Sequence, residues 1–273
     1  MRRSGRKVRT IKLKVFGPLL IPFLFHLFLP FCFAISNEEI ERSRAILTGR
    51  STGERIAYWV EQFIGVPYDP DPLGEYVSKA TIVADERVDC MYLTFRAVEL
   101  ALSRTPEEAI QIALEKRFHS KGVLKDGQVM NYDDRFEYGE DMIESGKWGM
   151  EVTAEVGKMM KVKGSRGKNF VEILSTGMLL KGIKNLRSGD IVFFIKKPEE
   201  RKRQEIVGHL GILKVEKNPK SKAGKEIYLI HASGIKGKGG VVKKVLLKEY
   251  LSEMPFIGVR ITRFPQGLSA RSA

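Results

Sequence analysis

The sequence predicts an α+β fold, with a helical first half and a second half that forms an antiparallel β-sheet. Up to residue 118, apolar residues recur at helical spacing between residues that commonly begin and end helices. From Phe170 onward, short runs of β-branched and aromatic residues alternate with turns rich in glycine and lysine. Helices that precede strands, rather than alternating with them, are typical of α+β domains.

The first half is expected to contain amphipathic helices separated by turns. Ser51 is a candidate N-cap with an acidic residue in the first turn, and Gly65 is a candidate helix end. Thr105 precedes Pro106, and proline is tolerated at the first position of a helix. The stretch 65–75 contains three prolines and is expected to be a rigid loop. The expected helices cover residues 37–48, 51–65, 90–102, 105–118 and 140–148.

The second half is expected to supply the strands of the sheet. The expected strands cover residues 170–174, 190–195, 208–215, 226–231 and 256–264. A further helix is expected at 246–253, between the last two strands. The lysine-rich stretches 158–168 and 217–225 are expected to be solvated loops.

Residues 1–34 have the pattern of a secretory signal peptide. Seven basic residues and no acidic residue precede an uncharged apolar stretch that runs from Val15 to Ala34. Cleavage after Ala34 is expected because the chain turns polar immediately afterwards. The protein is therefore expected to be exported, to the periplasm or the cell exterior.

Two alternatives for this segment are less well supported. An apolar run of about twenty residues could anchor the chain in a bilayer, but Pro18, Pro22 and Pro30 interrupt a regular helix there. A lipid-modified Cys32 is disfavoured because Phe31 stands where a lipoprotein site needs a small residue.

The remaining residues, 35–273, are expected to form a single domain with a helical N-terminal extension. Removal of the seven basic residues of the signal segment lowers the formal net charge from +14 to +7. This moderate basicity suits an anionic cell-wall or membrane surface and is weak evidence for nucleic-acid binding. We expect a monomer with no nucleic-acid partner, which meets the membrane only through the signal segment.

Cys90 follows Asp89 at the expected start of a helix. Loss of Cys32 with the signal segment would leave Cys90 without a disulfide partner in an exported protein. A thiol at a helix N-terminus lies at the positive end of the helix dipole, which favours the thiolate. A buried structural cysteine explains these observations equally well.

Three histidines outside the signal segment are candidates for a general base. His119 lies at a charged helix end and is expected to be exposed. His209 lies between glycines in an apolar strand, and His231 is expected to end the next strand, so the two can lie side by side. A structural pair of core histidines is the alternative. A zinc site is disfavoured because no tight Cys-x-x-Cys or His-x-x-x-His spacing occurs, and we expect neither metal nor cofactor.

Four short motifs surround the cysteine and the two strand histidines. They are Asp-Cys at 89–90, Gly-Asp-Ile-Val-Phe-Phe at 189–194, Gly-His-Leu-Gly-Ile at 208–212 and Leu-Ile-His-Ala-Ser at 229–233. In this order they resemble the NlpC-type papain-like cysteine hydrolases of bacterial cell walls, whose turn upstream of the nucleophile is similar to Gly-Val-Pro-Tyr at 65–68. Further similarity to the N-acetylmuramoyl-L-alanine amidase-like branch lies at 72–75, 94–95, 99–102, 132–138, 250–251 and 258–260.

The resemblance implies a papain-like fold, in which the helical half carries the nucleophile and packs on the antiparallel sheet. It implies Cys90 as the nucleophile, His209 as the general base and His231 as the third member that orients the base. The implied reaction is attack on an amide carbonyl, a thioester acyl-enzyme and hydrolysis by water. The N–H of Cys90 is a natural oxyanion donor.

The resemblance also indicates residues that could contact the substrate. Tyr68 is expected to line the site and orient the substrate. Asp89 and Arg135 are weaker candidates, because a helix cap or a structural salt bridge explains each of them equally well. Ser233 could be a residue of the site wall or part of a turn at a strand end.

Met91 favours one of two candidate bonds in the implied substrate, which is peptidoglycan or its muropeptide fragments. Wall endopeptidases of the superfamily carry a serine after the nucleophile, whereas the amidase-like branch does not, so Met91 favours the muramoyl–L-alanine bond. Glu137 stands where that branch often has histidine, which puts the details of substrate contact in doubt. The alternatives are a stem-peptide endopeptidase that cuts the D-Glu–diamino-acid bond, a non-catalytic wall-binding protein and an acyltransferase of the superfamily.

Overall fold

The computed structural model describes residues 35–220 and 224–265. The predictions for the signal segment, including Cys32, lie outside the described residues, and the single-domain prediction stays a prediction. Among the described helices, none is both long and apolar enough to cross a bilayer.

The structure is a mixed α/β arrangement with helices in both halves of the chain. The helices are α1 (Asn37–Leu47), α2 (Thr52–Glu61), α3 (Glu75–Ser78), α4 (Cys90–Leu102), α5 (Pro106–Lys116), α6 (Gly139–Ser145), α7 (Thr153–Val156), α8 (Thr176–Lys181) and α9 (Leu247–Glu253). The strands are β1 (Leu124–Lys125), β2 (Gln128–Val129), β3 (Met150–Glu151), β4 (Met160–Lys163), β5 (Phe170–Ser175), β6 (Ile191–Ile195), β7 (Val207–Lys217), β8 (Lys225–Ile235), β9 (Gly239–Leu246) and β10 (Gly258–Arg263).

Side-chain caps begin each of the four long helices, α1, α2, α4 and α5. Ser36 and Ser51 each form a capping box with the glutamate three residues later. Asp89 caps α4 by accepting a hydrogen bond from the N–H of Tyr92 at 2.8 Å, and Thr105 caps α5. The prediction that α2 ends at Gly65 is wrong by one turn, because the helix stops at Glu61 and turns follow it.

The main sheet is antiparallel, with the strand order β4-β5-β10-β6-β7-β8-β9 and β3 beside β10. Each of the five expected strands is present within a few residues of its expected bounds. Two expectations need correction. The lysine-rich stretch 158–168 is not all loop, because it contains the edge strand β4, and β8 continues four residues beyond His231 to Ile235.

Packed side chains cover both faces of the sheet. On one face, α2 and α4 pack against alternate strand residues such as Phe193 and Ile212, and α5 packs against α4. On the other face, α7, α8 and α9 pack against residues such as Phe194 and Leu229. Because β6 is buried on both sides, it is a continuous apolar run rather than an alternating one. Ten residues of α4 are buried, so the helix that begins at Cys90 runs through the core.

Candidate active site

A cavity of about 320 Å³ lies where α4 begins and β7 enters the sheet. Its lining combines apolar, charged and chemically reactive side chains. The lining residues are Pro72, Leu73, Tyr76, Asp89, Cys90, Met91, Arg135, Phe136, Glu137, Tyr138, Gly139, Arg203, Glu205, Val207, Gly208, His209 and Leu210. The cavity thus brings together Cys90 and His209, which lie more than a hundred positions apart in the sequence.

Cys90 is the first residue of α4 and is half-buried at the cavity wall. Burial, and then the carboxylate of Asp89, raise the pKa of the Cys90 thiol to about 12. The N–H of Leu210, the ammonium of Lys236 and the N–H of Cys90 oppose this rise. Burial therefore opposes the thiolate that the helix N-terminus favours.

A β-bulge sets the position of His209 on β7. Phe194 of β6 pairs with His209 and Ile195 pairs with Val207, so Gly208 is an extra residue between them. A Cβ at Gly208 would come within 2.4 Å of the Lys196 side chain, so only glycine fits without rearrangement. The bulge gives His209 its direction at the edge of the cavity.

The carboxylate of Glu140 holds the chain in place just before this bulge. Glu140 is buried and accepts hydrogen bonds from the N–H groups of Ile206 at 3.1 Å and Val207 at 3.2 Å. Both carboxylate oxygens are used, so the start of β7 is fixed to α6. The position of His209 therefore depends on α6 as well as on the sheet.

His209 and His231 form a direct contact between neighbouring strands. Nε2 of His209 lies 2.9 Å from Nδ1 of His231, so one nitrogen donates a hydrogen bond to the other. Burial, and then the neighbouring His231, lower the pKa of His209 to about 3. Burial and Lys243 lower the pKa of His231 to about 4. Both imidazoles are therefore neutral near pH 7, and Nδ1 of His209 is left for another partner.

Aromatic rings enclose the histidine pair. The ring of Tyr250, from α9, lies 4.8 Å from His231 and 6.2 Å from His209, measured between centroids. Phe194 stacks on His209 at 6.2 Å. Burial, and then the proximity of Cys90, raise the pKa of Tyr250. These contacts restrict the orientation of both imidazole rings.

Two of the proposed substrate contacts line the cavity and also have structural partners. Asp89 caps α4 and forms an ion pair with Lys236, whose Nζ lies 3.3 Å from Oδ2. Arg135 pairs with Glu137 at 2.7 Å and donates to the carbonyl of Tyr132. The structural interpretation of each residue is therefore correct, and both still face the cavity.

The other two proposed contacts, Tyr68 and Ser233, are not among the described residues that line the cavity. Tyr68 is buried, and its ring lies against Gly234, where an added Cβ would be 2.1 Å from it. Its pKa is raised by burial and then by the nearby Cys90. Ser233 pairs with Val241 inside β8, so the expectation of a strand-end turn is wrong.

The third histidine lies on the surface. His119 is exposed, and its ring packs against Phe136 with centroids 4.4 Å apart. In the part of the chain that the structure describes, no three His, Cys, Asp or Glu side chains cluster in a way that could hold a metal ion.

Several residues of the site gave no sequence signal. Arg203 and Glu205 line the cavity from a charged segment that reads as an ordinary surface loop. The N–H of Leu210 lowers the pKa of Cys90, and a backbone group cannot be identified from residue type. Lys236 lies in a turn rich in glycine and lysine, far along the chain from its partner Asp89.

The fold is shared with several solved structures, whereas no family model and no curated protein matches the chain. An N-acetylmuramoyl-L-alanine amidase from Bacteroides uniformis is 20% identical, with a TM-score of 0.58 over 78% of this chain and 98% of that one. A Legionella pneumophila protein of family DUF1460 is 17% identical, with a TM-score of 0.61 over 82% and 93%. A Bacteroides fragilis protein, whose name proposes a xylanase, is 20% identical, with a TM-score of 0.55 over 76% and 100%.

Proposed function

We propose that this protein is an exported cysteine amidase that hydrolyses the N-acetylmuramoyl–L-alanine bond of peptidoglycan or of its fragments. One observation carries the proposal: Cys90 and His209 line the same cavity, and His209 contacts His231 at 2.9 Å. A nucleophile, a base and a group that orients the base are the parts that acyl transfer through a thiol needs. The fold shared with a structure named as such an amidase supports the choice of bond.

The histidine contact determines which nitrogen of His209 can act as the base. If Nε2–H of His209 donates to Nδ1 of His231, then Nδ1 of His209 carries no proton and can accept one from the thiol. The opposite arrangement would place a proton on Nδ1 and would prevent its action as a base. His231 therefore has the task of fixing the productive tautomer.

The resting pair is a thiol beside a neutral imidazole. Burial raises the pKa of Cys90 and lowers that of His209, because a single charge on either group would lose its solvation by water. Transfer of the proton from sulfur to Nδ1 creates both charges together, and their attraction offsets part of the lost solvation. The transfer then accompanies attack of the sulfur on the carbonyl, so His209 acts as a general base.

The reaction proceeds through a thioester. The sulfur of Cys90 attacks the lactyl carbonyl, and the N–H of Cys90, which has no acceptor within α4, stabilises the oxyanion. The protonated His209 gives its proton to the nitrogen of L-alanine, and the C–N bond breaks. His209 then takes a proton from water, which attacks the thioester, releases the muramoyl carboxylate and restores the thiol.

The cavity has the mixed lining that an acylated peptide requires. Pro72, Leu73 and Tyr76 provide an apolar side, whereas Arg135 and Glu137 provide charged groups. Its volume of about 320 Å³ suits the groups on either side of one amide bond rather than a long glycan strand.

A glycosidase, as one neighbour's name would suggest, is disfavoured by the acids of this cavity. Glycoside hydrolysis commonly needs one carboxylic acid as a proton donor and one carboxylate across the scissile bond. The carboxylates that line the cavity, Asp89, Glu137 and Glu205, each form an ion pair with a lysine or an arginine. Burial opposes the shift, but the Lys196 ammonium and other hydrogen bonds hold the pKa of Glu205 below its usual range, which makes this carboxyl a poor proton donor.

Digestion of purified muropeptides, followed by mass spectrometry, tests the proposal. The wild type is expected to release a free lactyl carboxylate and a peptide that begins with L-alanine. Cys90→Ala and His209→Ala are expected to lower the rate by more than about 10²-fold. His119→Ala is the matched control, because His119 is exposed and outside the cavity, and it should retain full activity.

Other products would replace the proposal with one of its alternatives. Release of an L-Ala–D-Glu dipeptide would identify a stem-peptide endopeptidase. Binding to cell walls that persists in Cys90→Ala, with no cleavage by the wild type, would identify a wall-binding protein.

A further inference from the structure

The tip of the β8–β9 hairpin lies beside the start of the nucleophile helix. The N–H of Gly237 donates to the carbonyl of Pro70 at 3.0 Å, and the N–H of Tyr68 donates to the carbonyl of Gly240 at 2.8 Å. Gly234 leaves room for the ring of Tyr68, because a Cβ there would lie only 2.1 Å from it. These contacts join the hairpin to the loop that precedes α4.

Lys236 extends from this tip toward the residue before the nucleophile. Its Nζ lies 3.3 Å from Oδ2 of Asp89 and 5.6 Å from the centroid of the Tyr68 ring. The Asp89 side chain is 12% exposed and that of Lys236 is 34% exposed, so water screens this pair less than a pair on the open surface.

We propose that Lys236 is a positioning residue for the amidase reaction, whose ammonium group compensates the charge of Asp89 and makes the thiol of Cys90 easier to deprotonate. This inference rests on the proposed function, because it concerns the same nucleophile. Lys236 acts through Asp89 and through its field at the sulfur, and it need not touch the substrate.

The inference follows from two opposed requirements on Asp89. One oxygen must accept the N–H of Tyr92 to cap α4, which an aspartate does well. Its negative charge, however, lies one residue from the sulfur and raises the pKa of Cys90. A cation at 3.3 Å from the other oxygen keeps the cap and offsets the charge. Lys236 also lowers the pKa of Cys90 directly.

The groups around the sulfur show why one cation matters there. Asp89 carries a negative charge, whereas the tyrosines and His209 are neutral. The ammonium group of Lys236 comes from the β8–β9 hairpin. The titratable groups that face Cys90 are Asp89 of its own helix cap, Lys236, Tyr68, Tyr250 and His209. Without Lys236, the negative charge that develops on the sulfur during attack would face the protonated His209 and an uncompensated Asp89 carboxylate, which repels it.

Alkylation of Cys90 by iodoacetamide, followed across pH, measures this effect without any substrate. An opposite charge nearby commonly shifts a pKa by about one unit or more, so Lys236→Met is expected to slow alkylation about tenfold at pH 8. Lys236→Arg keeps the charge and should alkylate at nearly the wild-type rate. The matched control is Lys238→Met, at an exposed position of the same turn, which should leave the rate unchanged.

A double variant separates the charge from the structure of the hairpin. Asparagine at position 89 can still cap α4 but has no charge. Asp89→Asn combined with Lys236→Met is therefore expected to alkylate faster than Lys236→Met alone. In muropeptide hydrolysis, Lys236→Met should lower kcat and leave KM nearly unchanged, because the effect acts on the thiol rather than on substrate binding.

Three results would overturn the inference. Alkylation of Lys236→Met at the wild-type rate, failure of Lys236→Arg to restore it, or a double variant slower than Lys236→Met would each do so. The alkylation result is independent of the proposed function. A wild type that cleaves no muropeptide would remove the amidase proposal, while the rate in Lys236→Met would still decide whether Lys236 acts on the thiol.

Discussion

The buried histidine pair makes stability depend on pH in a way that one substitution can measure. The pKa of His231 is lowered from 6.5 to about 4 in the folded protein. Between these values the unfolded chain binds a proton that the folded protein does not bind. The contribution of His231 is therefore fully present above pH 6.5 and is lost as the pH falls toward 4.

The size of this effect follows from the two pKa values. At pH 5, protonation of His231 lowers the free energy of the unfolded chain by about 2 kcal/mol. It lowers that of the folded protein by almost nothing, because the folded histidine is mostly neutral at this pH. The substitution His231→Asn removes this term. The variant should therefore lose about 2 kcal/mol less stability than the wild type between pH 8 and pH 5. The cost of altered packing is the same at both pH values and cancels from the difference.

Urea unfolding at pH 8 and pH 5 provides the assay. Trp59 and Trp148 are buried, so their fluorescence reports the loss of the core. His119→Asn is the matched control, since substitution at an exposed site should change stability by no more than about 0.5 kcal/mol. Equal pH dependence in the wild type and in His231→Asn would refute the buried, neutral histidine pair.

Two further expectations concern the supports of the site. Glu99 and Arg117 form a fully buried ion pair. Glu99→Gln leaves the guanidinium uncompensated and should lower the free energy of unfolding in urea by about 3–5 kcal/mol. A loss below about 1 kcal/mol would contradict the buried pair. Gly234→Ala would press a Cβ into the ring of Tyr68, so it should lower the free energy of unfolding by about 1–3 kcal/mol and slow hydrolysis. Gly177→Ala is the control, because a Cβ at Gly177 would meet open space. Equal stability of the two alanine variants would show that the ring does not lie against Gly234.

The helices and the inner strands could be predicted because burial requires a regular apolar pattern and helix starts require capping residues. The apolar run at 191–195 and the cap at Ser51 leave little choice of structure. The edge strands β4 and β9 were missed for the opposite reason. An edge strand has few buried positions, so lysines and glycines replace the apolar pattern, as Gly239 and Gly240 do at the start of β9.

The candidate site was predictable only where its chemistry depends on residue type. Cysteine and histidine are rare in this sequence, which drew attention to Cys90 and His209. The pairing of neighbouring strands brings His231 to His209. The ionisation of Cys90 was not predictable, because burial is a property of the folded core. Lys236 was missed because only the folded hairpin brings it to Asp89.

Interception of the acyl-enzyme by hydroxylamine tests the central claim, covalent catalysis by Cys90, most directly. Hydroxylamine attacks a muramoyl thioester, restores the thiol and releases a muramoyl hydroxamate, which mass spectrometry detects beside the carboxylate. The wild type should form hydroxamate in proportion to the hydroxylamine added, and Cys90→Ala should form neither product. Cleavage that yields only carboxylate at every hydroxylamine concentration, or cleavage that persists in Cys90→Ala, would contradict the account.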